Sequence, residues 1–467
     1  MKLDNYFTAN IIIYGIWLIL SLILLITINN DIRIAASADS ASWIKPSINF
    51  YNFYSFKGEN GLVHEGIYRP PIIPIILSIN FLFTKTNSFI PFIIMQILAT
   101  ICTCLILIHL IRDWPSKYKL ILTIIFLFNP NIISTTQLIQ SEIFTMLFFS
   151  ICFSLVLNYS NAKKVILSSV LVGIFFGITI LSRPSFIFLL FLFPFMYIIS
   201  DIDFLKSNFN LKKILNPLAH GLISLVICFF VIFPWMNHVK SIEGQYSITS
   251  SESRYRFIWD QAVLVTSLSE NISYKEAMLK TEKSESHAKK HVYCKNIIDN
   301  SILRSKCFDD LAKEGYKVFF DNSFIGHSIA LTRSLVQFFV SGGGQNFNNL
   351  LKPKNVEFEK KDWITQKHRF TFLFNNNNFF ALICTILTVT FAILMRLLAI
   401  WGIVYLIIQK KIAYLIIILG VIAYISLIHI YHGSSRYRVP IEPTLSFLAI
   451  YGIHNFKKNN KSKKLIK

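Results

Sequence analysis

The sequence predicts an all-α polytopic membrane protein with about 10 transmembrane helices, about 11–13 at the upper end, and a sizeable soluble region on one face. Three observations carry that expectation. Of 467 residues, 54% are hydrophobic and only 15% charged, against roughly 45–50% and 25% in soluble domains. Apolar runs of membrane length recur along the chain. The lysines and arginines beside those runs fall on a single side once the runs are counted across a bilayer. Mean hydropathy of +0.53 and 43 Phe exclude a disordered chain. The formal charge of +21 reads as topology rather than nucleic-acid binding, because no DNA or RNA motif accompanies it.

Runs near 10–29, 88–111, 118–134, 142–158, 164–182, 184–200, 216–235, 384–409, 412–431 and 439–456 suit the roughly 17–25 residues a span needs. The first is longer than a signal-peptide core. Ala35-Ala36-Ser37-Ala38 is a weak cleavage site after it, so the run reads as an uncleaved anchor. Residues 71–83, flanked by Pro71 and Pro74, are too short to span and read as a surface or re-entrant helix. The run 379–408 is too long for one straight span and holds Arg396, which leaves the count open.

Basic clusters set the orientation. They are Arg112/Lys117/Lys119, Lys163/Lys164, Lys206/Lys212/Lys213, Lys410/Lys411 and the lysines of the tail 457–467. Ten spans place all of them, with both termini, on the cytoplasmic face. The chain then divides into an N-terminal membrane module 1–235 with a first outer loop at 30–87, an extracytoplasmic region 236–378, C-terminal membrane helices 379–456 and a basic cytoplasmic tail 457–467. Within 236–378, the segment 275–292 reads as a solvated helix. Ser341-Gly342-Gly343-Gly344 reads as a flexible joint, and Asn375–Asn378 as low complexity.

Unusual polar residues collect on the outer side. Asp39 follows the first span, beside small residues and Trp43. It could cap a helix, or act as a base in partly dry surroundings. Glu142 opens the fourth run, where a helix dipole favours an acid; as a second acid in the same cavity it would bind sugar hydroxyls or a divalent metal. No cofactor is called for with certainty. Arg69, Arg183, Arg436 and Arg438 stand at outer span ends, suited either to lipid head groups or to a phosphate cage of guanidinium forks. His64 and Glu65, just before the Tyr68-Arg69-Pro70-Pro71 turn, are candidates for substrate contact.

Five cysteines lie in apolar runs and read as small core residues. Cys294 and Cys307 share the outer polar region and are disulfide candidates, since an oxidising compartment permits the bond. His287, His291, Cys294 and Cys307 could together hold zinc, although the charged residues around them favour a solvated helix. Nucleotide-binding, metalloprotease and hydrolase motifs are missing from the sequence.

Together these segments resemble the GT-C glycosyltransferases, in particular bacterial members of the protein mannosyltransferase and aminoarabinose transferase superfamily. The likeness rests on Asp39-Ser40 with Trp43, Tyr68-Arg69-Pro70-Pro71-Ile72-Ile73-Pro74, Gln140-Ser141-Glu142, Gly177 through Ser182-Arg183-Pro184, Pro234-Trp235 and Arg436-Tyr437-Arg438-Val439-Pro440. Each motif is loose; their succession is specific. The resemblance implies a sugar donor on a polyprenyl phosphate and a glycan, lipid or protein acceptor, lipopolysaccharide among them. It implies Asp39 as catalytic base, with Glu142, Arg183, Arg436, Tyr437 and Arg438 lining the donor cavity. Relatives often carry Asp-Glu where this chain has Asp39-Ser40, so no second adjacent acid transfers. The location implied is a bacterial inner membrane, with the site facing the periplasm or exterior. An O-antigen polymerase or ligase and a glycolipid transporter or flippase are the alternative classes.

Overall fold

The computed structural model describes residues 3–30, 39–56, 66–85, 88–159, 164–200, 211–281, 285–297, 300–343, 379–429, 431–432 and 434–465. These residues form helices and turns, with no strand among them. The N-terminal half holds α1 (Leu3–Asn30), α2 (Ser40–Phe53), α3 (Ile72–Thr84), α4 (Ile90–Leu110), α5 (Ser116–Leu127), α6 (Pro130–Thr136), α7 (Glu142–Leu157) and α8 (Val165–Ser182). A 3-10 stretch, Pro184–Leu192, leads into α9 (Phe193–Ser200), and α10 (Leu211–Glu243) follows. At one end of the bundle stand α11 (Ser251–Glu270), α12 (Tyr274–Thr281), α13 (Glu285–Asn296), α14 (Ser301–Phe320) and α15 (Phe324–Val340). The chain returns through α16 (Phe379–Ile408), α17 (Ile412–Ile428), a second 3-10 stretch (Ser435–Ile441) and α18 (Glu442–Leu465).

Among the described residues, five helices are long and apolar enough to cross a membrane: α1, α4, α8, α10 and α16. The count becomes six if α5 and α6, bent by 55°, make one broken span. The tally of about ten also drew on shorter apolar helices such as α7 and α17. It drew too on runs whose backbone changes form midway, 184–200 and 439–456. Hydropathy averages over such breaks; backbone geometry does not. The α5–α6 bend has a local cause: Asn129 caps α6 by accepting from the Asn131 amide, and Pro130 stands where a helix tolerates proline best.

Three expectations need correcting. Pro234 does not end its helix, because α10 runs through Pro217 and Pro234 to Glu243, so the 235/236 boundary falls within one rod. The run with Arg396 is a single helix, and one nitrogen of its guanidinium is held by a carboxylate described below. Ser341-Gly342-Gly343 is a tight contact rather than a loose joint. A Cβ on Gly342 would collide with the Thr388 carbonyl of α16, and Gly343 has φ of +77°. Gly344, Asn375–Asn378, Lys206 and Ala35–Ala38 lie outside the described residues.

Bundle and end region have separate cores. α16 and α18 pack closely along their lengths, and a Cβ on Gly402 would strike the Leu448 carbonyl. In the end region, Tyr255, Trp259, Phe308 and Leu311 surround Cys294, which is joined to Cys307 across a Cα separation of 5.6 Å. The two sulfurs are bonded to each other, so neither is a thiolate for zinc, and His291 packs against the Tyr255 and Phe308 rings. Cys307→Ser is expected to remove about 2–3 kcal/mol from this region, given a sequence separation of 13 between the cysteines. Thermal unfolding of the variant should match that of the reduced wild type.

Candidate functional site

Asp39 immediately precedes α2, yet its side chain makes no capping bond. Its Oδ2 instead accepts from Arg436 Nη2 at 2.5 Å, and its Oδ1 from Arg69 Nη2 at 3.5 Å. A simple cap would leave the carboxylate facing amides of its own helix; this one faces two guanidiniums. Arg69 is itself held by Ser42, whose Oγ accepts from Nε at 3.0 Å, and by the Trp43 ring at 4.9 Å.

Arg436 also donates to the Tyr437 hydroxyl at 2.7 Å. The Tyr437 ring is the hub of the site. Arg436 and Arg183 lie 4.7 Å and 4.9 Å from its centroid. His429 stacks on it at 4.4 Å, and His432 meets it edge-on at 5.0 Å. Arg183 Nη1 sits 3.0 Å from Glu142 Oε1 in a buried ion pair not aligned as a hydrogen bond. Proline places both guanidinium-bearing segments. Pro184 stops α8 and leaves Arg183 extended, at φ −148° and ψ 102°. Pro440 lies within the 3-10 stretch that presents Arg436.

The end region roofs this cluster. Gln261 Nε2 of α11 donates to His432 Nδ1 at 2.7 Å, Phe257 stacks on the same ring, and Arg256 lies 5.8 Å from the Tyr68 ring. Sequence reasoning missed His429, Gln261 and Arg256. Only the closeness of His429 to His432 at the end of an apolar run signalled anything. Both ring nitrogens of His429 are buried with no hydrogen-bond partner among the described residues.

Arg438 does not belong to this cavity. It is 1% exposed and points into the bundle. Its Nε donates to Glu442 Oε1 at 2.6 Å, its Nη1 to the Phe338 carbonyl and its Nη2 to the Ser341 carbonyl at 2.7 Å. Arg396 Nη2 donates to the same Glu442 oxygen at 2.8 Å, and Asn129 Nδ2 to the other at 3.0 Å. A 3-10 helix turns every 3.0 residues, so positions two apart point in different directions. Arg436 and Arg438 therefore serve two different clusters. His64 and Glu65 lie outside the described residues.

Three guanidiniums (Arg69, Arg183, Arg436) face two carboxylates (Asp39, Glu142), leaving one net positive charge for an anion. Burial pushes the Asp39 carboxyl up, but Arg436 and Arg69 more than offset that, and its pKa lies below the usual 3.8. Burial, with Arg436, lowers the His432 imidazole to about 4, so it is neutral near pH 7. A histidine depressed in the folded state contributes stability that is complete above its ordinary pKa of 6.5 and lost as pH falls towards 4. Melting temperature should decline over that window, and His432→Gln should flatten the decline. Asp39 loses its contribution only below 3.8. Among the described residues, no group of three or more His, Cys, Asp or Glu is placed to hold a metal ion.

The chain matches no protein-family model, no curated protein and no solved structure. Fold and composition define its class: a protein whose described residues fold into helices without strands, with several long apolar helices suited to embedding in a membrane.

Proposed function

We propose that the chain is a glycosyltransferase of the GT-C type. It moves a sugar from a polyprenyl-phosphate donor to an acceptor on the outer face of a bacterial cytoplasmic membrane, with Asp39 as general base. One observation carries this reading. Asp39 pairs with Arg69 and with Arg436, from a segment 397 residues away, and Arg436 shares the Tyr437 ring with Arg183.

The acceptor hydroxyl or amine attacks the anomeric carbon, the bond from that carbon to the phosphate oxygen breaks, and Asp39 takes the acceptor's proton. A single displacement inverts the anomeric centre. The departing phosphate carries the negative charge, which Arg69, Arg183 and Arg436 stabilise. Donor phosphate also competes with Asp39 for Arg69 and Arg436. As the guanidiniums turn to phosphate oxygens, the carboxylate loses the charges that hold its basicity down, and it becomes a better proton acceptor when the acceptor arrives.

The full-length protein in proteoliposomes with a polyprenyl-phosphate sugar should yield free polyprenyl phosphate and a glycosylated acceptor. Movement of the intact lipid across the bilayer, with its sugar–phosphate bond unbroken, would instead make the chain a transporter. Mass spectrometry of surface glycans with and without the gene would name sugar and acceptor.

A further inference from the structure

Helix α15 is built inside out for a helix in water. A soluble amphipathic helix turns its large apolar residues inward. Here Gly326, Ala330, Ser334 and Phe338 face the protein. Ile325 (70% exposed), Ile329 and Val336 (56%) face outward with Thr332 between them. Phe320 and Phe324 (86%) extend that surface at the helix's start. Within α15 no charge interrupts it, because Arg333 turns inward to the Leu268 carbonyl; the exposed Asp321 lies before the helix begins.

Both ends of α15 are fixed against apolar helices, α17 at its start and the membrane-length α16 at its finish. Near its start, His327 Nδ1 lies 3.1 Å from the Tyr431 hydroxyl, just beyond the end of α17. At its finish, Gly342 lies against the Thr388 carbonyl. Thr388 stands six residues inside the apolar window Leu382–Ile408, about 9 Å below its end at 1.5 Å per residue. α15 also packs against α16, which has exposed apolar residues of its own near that contact in sequence, Ile383 and Leu387.

We propose that α15 is an interfacial helix that seats its Ile325–Ile329–Val336 face in the bilayer leaflet on the side of the Asp39 cluster. The end-region helices α11 to α15 are thereby moored to lipid instead of standing wholly in water. Because α15 packs on α11, the leaflet then supports the roof that Gln261 and Phe257 make over His432. This rests on α16 being a membrane span, not on the sugar-transfer reading.

Spin labels test it in the full-length protein, in phosphatidylcholine nanodiscs and a Cys102→Ala background. Labels go at Ile329→Cys and Val336→Cys, with Leu387→Cys as the lipid reference and Lys313→Cys as the water reference. Lipid seating makes the labels at 329 and 336 several-fold more accessible to oxygen than to a water-soluble nickel complex, as at 387, with the ratio reversed at 313. High nickel accessibility at 329 and 336, with 387 still lipid-like, overturns the seating alone. Low accessibility to both agents overturns it too, and means that residues 344–378 or a second copy of the chain covers the face. A water-like signal at 387 removes the membrane reading itself.

Discussion

Asp39→Asn is expected to lower glycan transfer about 10²- to 10⁴-fold, the range that a positioned proton acceptor supplies. The loss should fall on kcat. The variant keeps the shape of the carboxylate but not its charge, so Arg69 and Arg436 lose the anion that they share in the resting protein. Donor affinity should hold or tighten, since a competitor for those guanidiniums has gone. Single-turnover transfer in proteoliposomes, with donor binding measured separately, checks both halves. Retention of most activity would remove Asp39 from the chemistry and favour a transport role.

The second large effect concerns stability. Glu442 is fully buried and holds Arg396, Arg438 and Asn129 at once. Glu442→Gln leaves two guanidiniums facing each other without a counter-charge, and is expected to cost about 3–5 kcal/mol. Urea or thermal unfolding in detergent should register it. Arg438 also ties the 3-10 stretch to the carbonyls of Phe338 and Ser341, so the same substitution should depress kcat by loosening the segment that presents Arg436. An unchanged kcat in protein still folded at the assay temperature would separate the two clusters.

Legibility in the sequence followed chemistry more than position. Asp39, Arg69, Arg183 and Arg436 stood out because each breaks an apolar pattern beside a turn, and the fold brings them together. Glu142 was legible as an acid and Arg183 as a cation, but their pairing across 41 positions was not, because no local spacing joins the two helices. Arg438 was misjudged because it shares a motif with Arg436 while a 3-10 turn sends its side chain elsewhere. His429 looked like one more residue at the end of a span. Span boundaries were the least legible feature: hydropathy sees composition, and it misses both the bend at Asn129 and the 3-10 stretch after Pro184.

Arg396 sits midway along an otherwise apolar helix, and its carboxylate partner is 46 residues further along the chain. During synthesis the arginine emerges first, and a cation at the centre of an inserting helix is disfavoured by about 2.5–3.5 kcal/mol. The counter-charge for Arg396 is therefore supplied only once Glu442 has been made, and the ion pair that ties α16 to α18 closes after both helices exist.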